Sequence, residues 1–460
     1  MRGARRRAPS AWLGGLLLAV GVQAGADELR PNVLLVTIDT LRRDHTSLHG
    51  HSNPTTPGLE RLGAEGVVFE TAYAPSSTTA PSHASIFTGL YPPAHGVQKN
   101  AVPLPRRHET LAERLAAEGY QTAAVVSSFV LDSKFQWDQG FEVYLDDFAE
   151  ADRSVKPERW EGHAIHAGFD RRALATTRLA SRWLWERDRG RPFFLFVHYF
   201  DPHSPYAPPE AFPQRFPTPP ASATTPGPRI VREQRALYDA EIAYTDRALA
   251  ELLEVLRREG LDESTVVAVT GDHGEGLLDH GFMSHGTTLY EEVTRVPLVV
   301  RWKGELPPRR LEDPVGLVDL APTLLELVGA PDARRRGFRG HSLAAALRGK
   351  APLDAGREIF LARRPYEAAQ VEGRRVDGRL YGIRVGPWKY LEGDDASGAE
   401  LYHLERDPGE RRNLRDRHPE QAARLAARLA AWKTAEGEGA PLPEIDEADV
   451  RALEALGYVE

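Results

Sequence analysis

Potential metal ligands follow two apolar stretches of the sequence. Asp39 comes directly after the run Asn32 to Ile38, and Asp272 and His273 come shortly after Thr265 to Val269. Continuous apolar, β-branched runs of this length are typical of parallel strands that are buried on both faces. In open α/β sheets, ligands bind outside the carboxyl ends of such strands. Two carboxylates and an imidazole at one sheet edge could therefore hold a divalent metal ion.

A third polar group, from His198 to His203, follows the run Phe193 to Val197 in the same way. Taken alone, an Asp after a strand is commonly a helix N-cap or turn residue, and an Asp-His pair is commonly part of a solvated loop. The joint placement of all three groups at the same sheet edge is what favours a metal site.

A hydroxyl side chain is placed where a nucleophile would be useful. Thr79 is followed by Pro81 and by a helix-like stretch, so its hydroxyl would lie at a helix N-terminus. The free N–H groups and the dipole there favour an anionic substrate or an alkoxide. Simple N-capping by Thr79 or Thr78 explains the same pattern, because Thr caps helices well.

The elements that would position these groups alternate along the chain. Two further apolar runs, Thr122 to Val126 and Pro297 to Val300, indicate additional strands. Helical patterns lie between the strands, over Thr110 to Ala117, Arg171 to Glu186, Leu237 to Arg258 and Asp319 to Val328. This alternation predicts an α/β fold with a large, doubly wound, mostly parallel sheet.

The composition changes in the last quarter of the chain. Residues from Arg374 to Leu391 have the pattern of short strands with Gly turns, and a helical pattern follows from Pro419 to Lys433. We therefore expect a catalytic domain over residues 27–350. A small C-terminal α+β subdomain of antiparallel strands plus a helix would cover residues 351–460.

The N-terminus has the features of an export signal. Basic residues from Arg2 to Arg7 precede the apolar stretch Trp12 to Val22, and Ala24-Gly25-Ala26 supplies a small-residue cleavage pattern. The sequence predicts a signal peptide over residues 1–26 and a periplasmic or secreted protein, with an uncleaved anchor as the alternative. No later segment approaches transmembrane length, so no stable membrane span is expected after cleavage.

Composition excludes several classes of protein. The 460 residues carry a formal net charge of -8 with both signs interspersed, so no basic surface for a nucleic-acid polymer is expected. The chain has no Cys, which excludes disulfides, thiolate metal ligands and a lipid anchor on Cys.

Three segments resemble motifs of one enzyme family. Residues 79–89 resemble the sulfatase signature Cys/Ser-x-Pro-Ser-Arg-x-x-x-x-Thr-Gly. The run from Asp39 to His45 resembles that family's first metal-ligand motif, and Gly271 to Glu275 with His285-Gly286 resembles its second. The motifs occur in the family's order, and the likeness to the sulfatase family of the alkaline phosphatase superfamily covers nearly the whole chain. It implies a metal-dependent hydrolase of a small-molecule or glycan ester.

The nucleophile position departs from the usual sulfatase pattern. Sulfatases of the usual type oxidise Cys or Ser there to formylglycine, whereas the methyl group of Thr79 blocks conversion to an aldehyde. A Thr at this position resembles the nucleotide pyrophosphatase/phosphodiesterases and the phosphoethanolamine transferases, and a metal can activate its oxygen. We therefore predict attack by Thr79 on a phosphate or phosphonate ester, or on a sulfate ester, through a covalent intermediate.

The resemblance also implies a role for each site residue. The metal ligands would be Asp39, Thr79, Asp272 and His273. Imidazole among the ligands favours Zn or Mn, and Ca is the alternative.

The catalytic histidines that protonate the leaving group would be His203 and His285, for which a second metal site is the competing interpretation. Substrate oxygens would contact Asn100, Lys99, His198 and His83, the last of which replaces the Arg of the signature. Glu275 would orient His273 or cap its loop.

Two other functions stay open. One is a conventional, arylsulfatase-like sulfuric ester hydrolase. The other is a non-catalytic exported binding protein that keeps the sulfatase fold, which the loss of Cys or Ser at position 79 favours. Retention of Asp39, Asp272 and His273 argues against the second, because a degenerate site would be expected to lose some of its ligands.

Overall fold

The structure, a computed structural model, describes residues 30–148, 159–160, 163–164, 170–221, 228–394 and 398–437. The predicted signal peptide lies outside the described residues. Within them, helices cover a nine-stranded sheet, and a separate four-stranded sheet follows it along the chain. None of the described helices is both long enough and apolar enough to cross a membrane.

The strands and helices are numbered here in chain order. The strands are β1 Asn32–Ile38, β2 Val67–Tyr73, β3 Gln121–Val125, β4 Val143–Leu145, β5 Arg159–Trp160, β6 His163–Ala164, β7 Phe193–Tyr199, β8 Thr265–Gly271, β9 Arg295–Arg301, β10 Arg309–Leu311, β11 Val315–Gly316, β12 Glu358–Val371, β13 Arg374–Val385, β14 Trp388–Gly393 and β15 Glu400–His403. The helices are α1 Pro57–Ala64, α2 Thr79–Thr88, α3 Pro92–His95, α4 Leu111–Ala117, α5 Ala173–Glu186, α6 Arg229–Arg258, α7 Glu291–Thr294, α8 Leu320–Leu327, α9 Ala344–Leu347 and α10 Pro419–Glu436.

The large sheet has the order β10-β2-β9-β8-β1-β7-β3-β4, with β11 paired to β2. The predicted parallel core is confirmed, because β1 pairs in parallel with both β7 and β8. The expectation that Pro297 to Val300 lies in a parallel strand is wrong, since β9 runs antiparallel to β8 and to β2. Between β8 and β9 the chain forms only loops and the short α7. It therefore returns from the same sheet edge without the crossover that a parallel connection needs.

Both faces of the large sheet are buried, which explains the unbroken apolar runs. Along β1, Val33 and Leu35 pack into one hydrophobic cluster while Leu34 and Val36 pack into a second cluster on the other face. All four side chains are completely buried. Burial of each contributes roughly 1.5–3 kcal/mol relative to exposure. The central strands therefore form a rigid support for the residues at their carboxyl ends.

Most helix predictions are confirmed, with shifts at the ends. Thr110 precedes α4 as its N-cap in a capping box with Glu113. Helix α6 begins at Arg229, eight residues before the predicted start at Leu237, and most residues of the extra turns are polar and partly buried. Strand β2 was not predicted, because Glu70 interrupts its apolar run.

The second sheet is antiparallel, in the order β12-β13-β14-β15. Helix α10 packs on it through Trp432, whose ring stacks on Phe360 at 4.7 Å between centroids. The predicted strands and helix of the tail are confirmed, but β12 was missed and β13 continues through the predicted Gly turn. A buried ion pair between Lys389 of β14 and Glu291 of α7, with a 3.0 Å contact, ties this sheet to the catalytic part.

Candidate active site

Two acidic residues lie side by side at the carboxyl ends of the central strands. Asp39 follows β1 and donates its backbone N–H to the carbonyl of Tyr199 at the end of β7, at 2.9 Å. Asp272 follows β8 and donates its N–H to the carbonyl of Ile38. The parallel register of the three strands therefore determines the spacing of these carboxylates.

Asp39, Asp272 and His273 form a compact group of completely buried donor atoms. Nε2 of His273 lies 3.6 Å from Oδ1 of Asp39 and 3.5 Å from Oδ2 of Asp272. The hydroxyl oxygen of Thr79 lies 3.1 Å from the same nitrogen. Ligands about 2.1 Å from a tetrahedral Zn²⁺ are separated from one another by about 3.4 Å. The spacing of these donors thus fits a single divalent cation.

Hydrogen bonds within the protein orient two of the donors. Oδ1 of Asp272 accepts the backbone N–H groups of Thr40 at 3.1 Å and His273 at 2.8 Å, while Oδ2 has no hydrogen-bond partner among the described residues. Nδ1 of His273 donates to the carbonyl of Gly274 at 2.9 Å, so Nε2 carries the lone pair. Thr40 has a φ of 54°, an uncommon conformation for a β-branched residue that turns its N–H toward Asp272.

The group lacks positive charge of its own. Burial lowers the pKa of His273 well below its usual value, and burial lowers the pKa of His198 to about 3. Burial, together with the charge of Asp39, raises the pKa of Asp272 well above its usual value. Two carboxylates surrounded by neutral imidazoles in a buried site are costly to ionise unless a cation neutralises them. The residues present therefore fit a bound divalent metal.

Thr79 is the first residue of α2, as predicted, and its side chain is completely buried. Thr78 occupies the N-cap position, yet no side-chain capping hydrogen bond forms there. The contact of the Thr79 hydroxyl is with His273 across the site. Neither hydroxyl therefore acts as the simple cap that the sequence left open.

Two of the residues predicted to contact the substrate, His83 and His198, instead contact other groups of the protein. Nδ1 of His83 donates to the carbonyl of Thr79 at 2.8 Å, and its Nε2 lies 2.9 Å from the hydroxyl of Thr37 and accepts from it. Nε2 of His198 lies 3.5 Å from Oδ2 of Asp39. Burial and the neighbouring His198 lower the pKa of His83 well below its usual value. This geometry favours positioning roles for both histidines over substrate contact.

His203 and His285 lie next to the metal-binding group. The ring of His285 is 4.5 Å from that of His273 and 5.0 Å from that of His203, between centroids. Nδ1 of His203 donates to the carbonyl of Ser204, and Nδ1 of His285 lies 3.2 Å from Oε1 of Glu275. Among the described residues, neither belongs to a group of three donors close enough to chelate a second metal. Oε1 of Glu275 also accepts the backbone N–H of Gly276 at 3.1 Å, so of the two roles predicted for Glu275 the contacts favour capping of the loop over orientation of His273.

Asn100 and Lys99 lie near the start of α2. Oδ1 of the buried Asn100 accepts the backbone N–H of Ala80 at 2.9 Å, and its Nδ2 has no hydrogen-bond partner among the described residues. Lys99 is half-buried. Burial, and next the positive charge of Arg364, lower the pKa of Lys99 below its usual value. Asn100 therefore contacts the backbone at the start of α2, and Lys99 lies close enough to Arg364 of the second sheet for the two charges to interact.

The structure adds residues that the sequence did not single out. Arg42 donates to the backbone carbonyls of Glu275 and Gly276, and so links the loop after β1 to the loop after β8. Arg364 and Tyr366 of β12 approach the site from the C-terminal sheet. The sequence signal that could have identified Arg364 is the Pro that follows Arg363 and Arg364, because Pro in a strand commonly marks a bulge.

Comparison with known proteins agrees with this architecture. The family profile described as Sulfatase matches residues 31–330, and the profile described as N-sulphoglucosamine sulphohydrolase, C-terminal, matches residues 276–434. Arylsulfatase K of Gallus gallus is 26% identical over 91% of this chain and 86% of that protein. N-acetylglucosamine-6-O-sulfatase of Bacteroides thetaiotaomicron is 23% identical over 84% of this chain and 82% of that protein.

A solved structure extends the likeness in fold. The phosphonate monoester hydrolase of Agrobacterium radiobacter superposes with a TM-score of 0.71 at 22% identity, covering 89% of this chain and 96% of that chain. The sulfatase profile spans the strands and loops that carry Asp39, Thr79, Asp272 and His273. The chain therefore belongs to the sulfatase family of ester hydrolases.

Proposed function

We propose that this protein is a metal-dependent hydrolase in which the hydroxyl of Thr79 attacks a phosphate or phosphonate ester and forms a covalent intermediate. The observation that carries the proposal is the 3.1 Å contact between Thr79 Oγ1 and His273 Nε2, beside two buried carboxylates. A Thr cannot be oxidised to an aldehyde, which excludes formylglycine chemistry and leaves its hydroxyl as the group that attacks in this proposal. The phosphonate monoester hydrolase with the same fold makes phosphorus esters a reasonable first substrate class.

The proposed metal site consists of Asp39, Asp272 and His273 together with Thr79. A divalent cation held there supplies a Lewis acid next to the nucleophile and offsets negative charge on the ester. The imidazole ligand favours Zn²⁺ or Mn²⁺, and Ca²⁺ is the alternative.

The chain's own residues account for the remaining steps. The hydroxyl of Thr79 gives its proton to solvent, and its oxygen forms the new bond to phosphorus as the bond to the in-line leaving alcohol oxygen breaks. This takes place at the N-terminus of α2, where the helix dipole favours anions. His285 or His203 gives the leaving oxygen its proton. Burial alone would lower the pKa of His285, but the charge of Glu275 and its hydrogen bond outweigh burial and raise it. The raised pKa suits His285 to the role of proton donor. Water then hydrolyses the Thr79 ester.

Sulfate ester hydrolysis is the second candidate, because the family profile and the relatives carry sulfatase names. The two candidates differ in the atom that Thr79 attacks. A binding protein without activity is disfavoured, because two buried carboxylates without a cation would cost stability and serve no purpose. We further propose export through the N-terminal signal of residues 1–26.

The test is a substrate panel on purified enzyme loaded with Zn²⁺ or Mn²⁺. The panel contains an aryl phosphodiester, an aryl phosphonate monoester and an aryl sulfate. We expect kcat/KM to be highest for a phosphorus ester and to vanish on chelation of the metal. Preference for the aryl sulfate would overturn the substrate assignment, and full activity in metal-stripped protein would overturn the metal-dependent mechanism.

A further inference from the structure

Strand β12 of the C-terminal sheet is attached to the loops of the active site by three hydrogen bonds. The backbone N–H of Ala362 donates to the carbonyl of Pro75 at 2.8 Å, upstream of Thr79. The guanidinium of Arg363 donates to the carbonyl of Thr287 at 3.1 Å, and the hydroxyl of Tyr366 donates to the carbonyl of Gly286 at 3.2 Å. The residues of β12 between these anchors therefore have a fixed position relative to the site.

The strand is irregular at this point. Its register with β13 shifts between Arg363 and Tyr366 and again between Tyr366 and Ala369. Bulges bend a strand and redirect its side chains, and they are common next to active sites. Pro365 lies within the first shift and has no N–H to donate to the ladder. The irregular segment is the part of β12 that carries Arg364.

Arg364 approaches the loop that follows His285. A Cβ built on Gly286 would lie 3.9 Å from Nε of Arg364 and 3.4 Å from Oγ1 of Thr78. Thr78 immediately precedes the proposed nucleophile, and Gly286 immediately follows the proposed proton donor. The side chain of Arg364 therefore lies at the rim of the reaction site and not elsewhere on the second sheet.

A second cation reaches the same rim. Lys99 precedes Asn100, which holds the N–H of Ala80 at the start of α2. Burial and the charge of Arg364 together lower the pKa of Lys99. The negative charge of Glu367 acts in the opposite direction and raises it. Burial, with a further contribution from Arg364, lowers the pKa of Arg363 to about 10. Positive charge is therefore concentrated at this part of the rim.

The guanidinium of Arg364 is also held in place. Its Cζ lies 4.2 Å from the ring centroid of Tyr366, in cation–π geometry, and the Tyr366 hydroxyl is itself bonded to Gly286. A planar guanidinium that is fixed in this way suits two-point binding of a carboxylate, sulfate or phosphate group.

We propose that Arg364 and Lys99 form a binding site for a second anionic group of the substrate, next to the ester that is cleaved. The preferred substrate is then an ester that carries a further carboxylate, sulfate or phosphate close to the scissile group. The inference rests on the proposed function, because Thr79 defines where the scissile ester lies.

The experiment measures binding, so that it does not depend on turnover. Metal-loaded Thr79→Ala protein is titrated by calorimetry with phenyl phosphate, 2-carboxyphenyl phosphate and 2-sulfophenyl phosphate. The second charge is expected to tighten binding by about 10-fold or more, as for a charge-assisted hydrogen bond. Adding Arg364→Gln should remove most of that gain and leave the affinity for phenyl phosphate within about twofold. Arg375→Gln, at an exposed position of β13, is the matched control and should retain the gain.

The outcomes separate the two proposals. Equal affinity for all three ligands in the Thr79→Ala protein overturns the second anion site, as does an equal loss for all three ligands in the Arg364 variant. Failure of the catalytic proposal appears instead as turnover by Thr79→Ala. A gain for both added anions supports a general anion site, and a gain for the carboxylate alone supports a carboxylic acid substrate. Arg364→Met provides the same comparison if Arg364→Gln does not fold.

Discussion

The hydroxyl oxygen of Thr79 lies 3.1 Å from Nε2 of His273, although 194 positions separate the two residues in the sequence. Both side chains are completely buried. The Gly274 carbonyl fixes the tautomer of the imidazole, so the lone pair of Nε2 faces the hydroxyl. The nucleophile of α2 and the loop after β8 therefore present their reactive atoms to the same point.

Thr79→Ala should lower kcat/KM by at least about 10³-fold, because it removes the attacking oxygen and leaves the surrounding groups in place. Thr79→Ser keeps the oxygen and should retain measurable turnover. Thr88→Ala is the matched control, since it removes a buried hydroxyl at the other end of α2 that donates to the carbonyl of Ala84 at 2.6 Å. Initial rates on the preferred ester test this, and near-normal turnover by Thr79→Ala would exclude it as the nucleophile.

Asp272→Asn should abolish tight metal binding and yet stabilise the metal-free protein. The amide oxygen can still accept the N–H groups of Thr40 and His273, while the charge that repels Asp39 is removed. Relief of this repulsion should raise the free energy of unfolding by about 1–2 kcal/mol after chelation.

The measurement is thermal unfolding of both proteins with and without added Zn²⁺. The wild-type protein should gain stability with the metal, since the ligand binds only the folded state, and the variant should not. A metal-dependent rise in Tm equal in the two proteins would show that Asp272 is not a ligand.

How much of this site follows from the sequence depends on the range of the interactions. Asp39 and Asp272 could be placed together because two apolar strands dictate where their carboxyl ends lie. The direction of β9 could not be predicted, because an apolar run carries no information on strand orientation. The roles of His83 and Glu275 depend on which atom lies within about 3 Å of each ring or carboxylate, which spacing along the chain does not specify. Arg364 was missed because Gly286, the residue that it approaches at the site, is distant from it in sequence.

The pair of His51 and Asp239 should stabilise the fold in a defined pH window. Nε2 of His51 lies 2.9 Å from Oδ2 of Asp239. Burial alone would lower the pKa of His51, but the hydrogen bond and charge of Asp239 raise it. Burial alone would raise the pKa of Asp239, but the charges and hydrogen bonds of His45 and His51 hold it below its usual value.

The two pKa shifts determine how the stability of the fold changes with pH. The raised histidine pKa stabilises the fold fully below about pH 6.5, and this contribution is lost as the pH rises through the folded-state pKa. The lowered carboxyl pKa stabilises the fold above about pH 4. His51→Gln, which can donate a hydrogen bond but cannot titrate, should therefore cost about 1–2 kcal/mol near pH 5.5 and less near pH 9. Urea unfolding at the two pH values measures this, and an equal cost at both would contradict it.

Arg42→Gln should be destabilising, because it removes the cation that Asp44 contacts and one of the cations that Asp279 contacts. The buried guanidinium lies 2.6 Å from Oδ2 of Asp44 and 2.7 Å from Oδ2 of Asp279. The Asp44 side chain is 59% exposed and Asp279 keeps a 3.0 Å contact with Arg235, so the loss should be about 1.5–3 kcal/mol, as for hydrogen bonds to charged groups. Arg229→Gln breaks an ion pair whose Arg side chain is 81% exposed, and it should cost less than about 1 kcal/mol. Urea unfolding of both variants tests the contrast, which would fail if the two losses were similar.

Gly286→Ala should lower activity by more than its effect on stability explains. Gly286 has a φ of 83°, and an added methyl group would lie 3.4 Å from Oγ1 of Thr78 and 3.7 Å from the hydroxyl of Tyr366. Gly329 has a φ of 73° with no atom within 4 Å of the same position, so Gly329→Ala isolates the backbone strain.

Each variant should lose about 1 kcal/mol of stability from an Ala at positive φ. Only Gly286→Ala should also lower kcat/KM, by about 10-fold or more, since its methyl group lies between the proposed proton donor and the nucleophile's helix. Steady-state kinetics beside urea unfolding measures both effects, and equal activity of the two variants would mean that the space at Gly286 is not used by the substrate.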